Sequence, residues 1–225
     1  MFKSKRRPIV TPQSEHLKLV GTLALLWGNA DFDFPPIERL SMVAGMGSHD
    51  RGYGFLDTSP IGGMSDEEWA PIARRTFYTQ YTDVTADLLA KYHFRRLASH
   101  DDSAERKAMT AEFSLEIEKQ LAAHKLSKDL FDRLDRITDL CDTISFDFCF
   151  ELPASREFSV FPRNDSKAEV SINYRVEDGN IHVTPWPFSV DSYEGYIIGY
   201  KLEGYPDRLD PVILPFHLLR TGPVV

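Results

Sequence analysis

Of the seven histidines in the chain, three stand where apolar residues would be expected. His16 is in line with Val20 and Leu23, and His93 is in line with Ala86, Leu89 and Leu97, so helical spacing turns both toward a core. His49 follows Met42 and Met46 at the same kind of interval, and Asp50 comes directly after it. Further along, Asp132, Asp135, Asp139 and Asp142 form a carboxylate stripe beside an apolar stripe of Leu134, Ile137, Cys141, Ile144 and Phe148, with Asp142 nearest the apolar residues. Any one inward histidine is commonly a core residue bonded to backbone, and an acidic helical stripe is commonly a solvated face. Several imidazoles and two carboxylates directed into one interior are different, because an unpartnered buried charge costs several kcal/mol. A divalent metal would satisfy them together. Mixed imidazole and carboxylate donors suit manganese, iron, cobalt, nickel or zinc, and no thiolate spacing of a structural zinc site is present.

These residues need helices to hold them. From about residue 12 to 152 the apolar residues recur at three and four, which predicts five helices: 12–27, 37–50, 66–97, 104–124 and 127–152. Pro12 and Gly28 bracket the first, Pro35 and Pro36 precede the second, and the acidic run Asp66, Glu67 and Glu68 opens the third. The loop between the second and third helices is long, and such loops often serve function. After Pro153 the period changes to two. Val170, Ile172, Tyr174 and Val176 alternate with polar residues, Asp178 and Gly179 mark a hairpin turn, and further strands follow around Tyr196 to Leu202 and Val212 to Leu219. The expected fold is therefore mainly α, a helical core over 1–152 with a C-terminal antiparallel β appendage over 153–225. So short a sheet should rest its aromatic face, including Tyr174, Trp186, Tyr196 and Tyr200, on the helical body or on a second copy, which makes a homodimer an expectation. No triad, phosphate loop or ligand spacing gives the tail chemistry of its own, and His182 and His217 read as surface or edge residues.

A chain of 225 residues with 42% hydrophobic side chains is long enough for a substantial core without staples. Its net charge of -8 makes duplex nucleic acid a poor partner. The early cluster Lys3, Lys5, Arg6 and Arg7 reads as an unstructured basic arm and lacks the apolar stretch of a signal peptide. No membrane span is expected either, since Leu19 to Trp27 is too short and is broken by Gly21 and Thr22. Two cysteines eight positions apart on one helix lie about 12 Å from each other, too far for a disulfide. A soluble cytoplasmic protein is the expectation.

The order His16, then His49 and Asp50, then Asp142 resembles the H...HD...D signature of the HD-domain superfamily of metal-dependent phosphohydrolases. The resemblance implies an HD-like helical core and primary metal ligands at His16, His49, Asp50 and Asp142, the last in the segment LCDTIS. His93 resembles the additional histidine of two-metal members, so one or two ions are implied. The segments SEHLKLVGTLALLWGN, SHDRGYGFLDTSP, KYHFRRLAS and VTPWPF look like those of a bacterial family of uncharacterised HD-like proteins. The sequence departs from the HD-GYP group, with Arg51 and Tyr53 after the pair and no histidine next to His100. The implied activity is hydrolysis of a phosphate ester of a small molecule or nucleotide. Asp50 would orient the attacking water and Arg51 would clamp phosphate. Trp27, Tyr53, Phe32 and Phe34 are candidates for the pocket wall. Two other functions fit the same residues: a di-iron oxygenase drawing on His93 with His100 or His124, and a non-catalytic metal-binding interaction module.

Overall fold

The computed structural model describes residues 1–54 and 57–220. Two short strands, β1 (Phe2–Lys3) and β2 (Ile9–Thr11), precede the helices α1 (Gln13–Leu26) and α2 (Arg39–Met46). A single 3₁₀ turn at Arg51–Tyr53 leads on to α3 (Asp66–Tyr78), α4 (Val84–Ala98), α5 (Ala104–His124) and α6 (Lys128–Cys149). Five strands follow among the described residues: β3 (Ala154–Val160), β4 (Val170–Glu177), β5 (Asn180–Thr184), β6 (Ser192–Lys201) and β7 (Pro211–Arg220).

The expectation of a mainly α protein with an antiparallel appendage is corrected. The molecule is an α/β fold in which six helices share one core with a seven-stranded mixed sheet of order β1-β2-β6-β7-β5-β4-β3. The first two of those strands come from the basic N-terminal segment, where Val10 pairs with Tyr200. That segment is thus ordered. Arg6 Nη1 donates to Asp178 Oδ1 at 2.5 Å, and Arg7 binds Glu151 through Nε and Nη2. The sheet is mixed because β7 lies between β6 and β5 and runs parallel to β5, pairing Ile181 with Leu218. Tyr174 and Trp186 are buried as expected, whereas Tyr196 is exposed.

The helix expected over 66–97 is two helices. Asp83 ends the intervening turn by accepting from the backbone N–H groups of Thr85 and Ala86, an N-cap that starts α4 afresh. Ser65 and Glu68 cap α3 reciprocally, as the acidic run suggested. The α2 helix stops at Met46, so His49 and Asp50 occupy the following turn rather than a helix end.

Close packing brings the four helices that matter together: α1 lies on α2 and α6, and α4 lies on α2 and α6. At Gly45 a Cβ would stand 2.9 Å from Ala86 Cα, so glycine is what lets α2 approach α4 this closely. Helix and sheet are joined by a buried carboxylate. Asp147 near the end of α6 accepts from Tyr174 at 2.6 Å and from Arg156 twice at 2.8 Å.

Candidate metal centre

His16 projects from the first turns of α1, His49 and Asp50 from the turn after α2, His93 from α4 and Asp142 from α6. Their functional atoms converge. His16 Nε2 lies 3.3 Å from His49 Nε2, 3.2 Å from Asp142 Oδ1 and 3.9 Å from Asp50 Oδ2. His49 Nε2 lies 3.4 Å from Asp142 Oδ1 and 3.6 Å from Asp50 Oδ2. Donors held about 2.0–2.1 Å from one ion are separated by about 3.0 Å in an octahedron and about 3.4 Å in a tetrahedron, so these separations fit a common ion.

The supporting contacts orient the donors. His49 Nδ1–H donates to Met46 O at 2.6 Å, which turns Nε2 toward the cluster. Ser145 Oγ donates to His16 O at 3.0 Å and fastens α6 to α1 beside the site. The histidines are buried and Asp142 is half-buried.

Charge is concentrated here against the cost of burial. Burial alone would raise the Asp142 carboxyl, yet His49 and His93 hold it well below the usual carboxylate range. Asp50 behaves likewise: burial opposes its ionisation, and His49, His93 and His16 outweigh it. For His49 burial acts downward, but Asp50 and Asp142 push it up to about 9. His93, by contrast, is lowered by burial and by the charge of His49. Two ionised carboxylates facing imidazole nitrogens are a hard-to-borderline donor set suited to a divalent ion.

A cavity of about 250 Å³ opens onto His16, Asp50, His93 and Asp142. Its walls include Gln13, Tyr53, Trp69 and Arg106. Arg106 stacks 3.6 Å over the Trp69 ring while its Nη2 donates to Asp66 Oδ1 at 2.6 Å, and Trp69 Nε1 donates to the Tyr53 hydroxyl at 3.1 Å. Gln13 Oε1 is buried without a hydrogen-bond partner. A larger cavity of about 510 Å³ lies between the N-terminal arm and the turn joining β4 to β5. Its charged residues are already paired as Arg6 with Asp178 and Arg7 with Glu151, so the smaller cavity is the one with unspent chemistry.

The structure thus brings together His16, His49, Asp50, Asp142 and His93. Arg51 does not join them. Its guanidinium turns away to Asp87 Oδ1 at 2.9 Å, to the carbonyl of Thr79 and to the face of Tyr81. His100 and His124 are exposed, and Trp27 packs in the core against Phe32 and Phe188. Tyr53 does line the cavity. Sequence reasoning missed Arg106, Trp69 and Gln13, whose spacing carries no signal, and Arg96, which stands three residues after His93 and contacts it.

An α/β protein whose helices and the turn after α2 gather histidines and aspartates into two overlapping ligand groups beside a cavity is, by fold and site, a candidate metalloprotein. By sequence the chain belongs to the family described as "Protein of unknown function (DUF3891)", whose model matches residues 2–203. No curated protein sequence and no solved structure matches it. No helix among the described residues is long and apolar enough to cross a membrane.

Proposed function

We propose that this chain is a metal-dependent hydrolase of phosphate esters, with an HD-type ligand set of His16, His49, Asp50 and Asp142 and a cytoplasmic setting in keeping with its two free, buried cysteines. The observation that carries the reading is that these side chains, from separate segments, meet around His49 in two overlapping ligand groups, His16 with His49 and Asp142 and His49 with Asp50 and His93, beside a cavity that also offers unspent polar groups. When bound there, a divalent ion of the manganese-to-zinc series supplies Lewis acidity, lowering the pKa of water and drawing charge from a phosphoryl oxygen.

The protein's own groups do the rest. Asp50 accepts from His93 through Oδ1 at 3.1 Å and turns Oδ2 toward His16 and His49, so its carboxylate is held in position to orient a water. The Tyr53 hydroxyl already accepts from Trp69, which leaves its own proton to donate into the cavity, and burial pushes that phenol up so that it keeps the proton. Arg106, fixed between Trp69 and Asp66, adds positive charge at the wall and takes the anion-binding part expected of Arg51. Gln13 Oε1 is an acceptor for a hydroxyl or N–H of the esterified group.

The test is metal analysis of protein purified without chelator, followed by phosphate release from a panel of monoesters, diesters and nucleotides. Stoichiometric metal and turnover abolished by Asp50→Asn are expected. Metal-free protein, or oxygen consumption without phosphate release, would overturn the reading.

A further inference from the structure

Two carboxylates of α6 outside the ligand set, Asp135 and Asp139, share one partner. Arg96 turns inward from α4, where its Nε donates to Asp135 Oδ1 at 3.2 Å and its Nη1 donates to Asp139 Oδ1 at 2.6 Å. The same Nη1 stands 3.7 Å from Asp142 Oδ2, and Nη2 donates at 3.1 Å to His93 Nδ1, which itself lies 3.4 Å from that Asp142 oxygen and nearer to the guanidinium. A guanidinium has donors only, so His93 Nδ1 must be the acceptor, and a neutral imidazole then carries its proton on Nε2. That N–H meets Asp50 Oδ1 at 3.1 Å, and a carboxylate oxygen is a suitable acceptor for it. Both nitrogens of His93 are therefore spent. One lone pair is engaged by Arg96, and the other nitrogen holds a proton.

We infer that Arg96 is a positioning residue that keeps His93 out of the ligand set, so that the centre takes a single divalent ion and the guanidinium supplies a second, fixed positive charge beside Asp142. The stoichiometry rests on the metal-centre reading above, but the tautomer of His93 does not. In this arrangement His93 is a hydrogen-bond donor that fixes one oxygen of Asp50, leaving the other to the ion. Asp135 and Asp139 anchor the guanidinium by accepting from its Nε and Nη1. Within the acidic stripe of α6, Asp142 thereby faces the ion while Asp135 and Asp139 face the arginine. A second ion would have to displace either the proton on Nε2 or the guanidinium at Nδ1, and the latter is held by two further hydrogen bonds.

The experiment uses full-length, chelator-stripped protein titrated with Mn(II) and with Zn(II), together with two-bond ¹H–¹⁵N correlation spectra of histidine-labelled protein. Wild type should take up one equivalent of either ion, and the His93 spectrum should show the proton on Nε2. His93→Ala should still take up one equivalent, weakened by about 10- to 100-fold, as is usual when a group behind a ligand is removed. Arg96→Met should move part of the His93 proton to Nδ1, and Arg96→Lys should restore some of the Nε2 form. If Arg96→Met fails to fold, the wild-type spectrum and the His93→Ala titration decide alone. Two equivalents in wild type, no uptake by His93→Ala, or a proton on Nδ1 in wild type would each overturn the inference. Wild type that binds no ion yet shows the proton on Nε2 would sink the metal centre while leaving the Arg96 to His93 contact standing.

Discussion

Asp50 and Arg51 are neighbours in sequence, yet they belong to two buried polar clusters with opposite characters. On one side of the turn, Asp50 joins His16, His49 and Asp142, whose ring nitrogens and carboxylate oxygens face one another, with Arg96 Nη1 3.7 Å from Asp142 Oδ2. On the other side, Arg51 joins Asp87, Lys91 and Gln120. Asp87 accepts from Arg51 at 2.9 Å through Oδ1 and, through Oδ2, from Gln120 at 2.9 Å, with Lys91 Nζ 2.8 Å from the same oxygen. Lys91 in turn donates to Gln120 Oε1 at 2.9 Å. Both clusters are costly to desolvate, but the second answers one carboxylate with an arginine and a lysine, whereas the first answers two carboxylates mainly with imidazoles. Compensated charge of that kind serves the architecture, here by joining the turn after α2 to α4 and α5. Imidazoles and carboxylates converging beside a cavity suit the binding of an ion.

This contrast predicts its largest effect at the first cluster. His49→Ala and Asp142→Ala should each lose stoichiometric metal, read by elemental analysis of protein purified without chelator. Metal retained by both would erase the distinction. Next in size is Asp87→Asn, which leaves Lys91 and Arg51 without their carboxylate and should cost about 3–5 kcal/mol in denaturant unfolding. The folded variant should keep its metal. The effect has a pH signature. Burial raises the Asp87 carboxyl, but its bonds to Lys91 and Gln120 and the charges of Lys91 and Arg51 bring it below the usual value in the folded state. The stability it provides is thus fully present above the unfolded value near 3.8 and is lost as pH falls through the lower folded value. The gap between wild type and Asp87→Asn should be constant from pH 7 to about 4 and shrink below that. A gap that closes already at pH 6 would contradict the assignment.

How far the sequence reveals the two clusters also differs. His16, His49 and His93 are legible because each falls on an otherwise apolar helical spacing in the sequence, and the order of the ligand candidates along the chain carries a recognisable pattern. The Asp87 cluster is not, since Lys91 and Asp87 read as ordinary members of a charged helix. Arg51 was read into the wrong cluster for a physical reason: successive residues in a tight turn point in different directions, so adjacency to Asp50 says nothing about facing the ion. Arg106 shows the converse, reaching the cavity from a distant helix through stacking on Trp69. The fold was half legible. Alternation at Val170 to Val176 gave the strands after Pro153, but β1 and β2 have two and three residues, too few to show a period, and their basic flank resembles a free arm. The parallel pairing of β5 with β7 depends on where β6 goes, which no local signal encodes.

A smaller effect separates the clusters by their response to chelation. An ion that binds only the folded state at a free concentration 100 times its Kd stabilises by about 2.7 kcal/mol. For a chain of this size that corresponds to roughly 5–10 °C in Tm. A chelator should lower the Tm of wild type by that order and leave His49→Ala unmoved, whereas Asp87→Asn should respond like wild type from its lower starting point. A chelator response in His49→Ala equal to that of wild type would place the ion elsewhere.

The smallest effect tests whether the first cluster depends on the fine placement of its helices. Ser145 Oγ donates to the backbone carbonyl of His16 at 3.0 Å, a buried bond linking α6 to the carrier of one ligand three residues from Asp142, the carrier of another. In Ser145→Ala the His16 carbonyl keeps its place in the α1 ladder, so no acceptor is stranded and the cost should stay near 1 kcal/mol, the ordinary net worth of one hydrogen bond. Removing an oxygen also leaves little void, because the methyl that remains fills most of the space. The Tm should fall by about 2–4 °C, and metal stoichiometry should stay at the wild-type value. If the stoichiometry fell as it does in His49→Ala, the spacing of α1 and α6 would be held by this one contact rather than by the packing of Leu19, Leu23, Cys141 and Ile144 in the shared core. The contrast between the two clusters would then be one of tolerance as well as charge, with the ligand set the more fragile of the two.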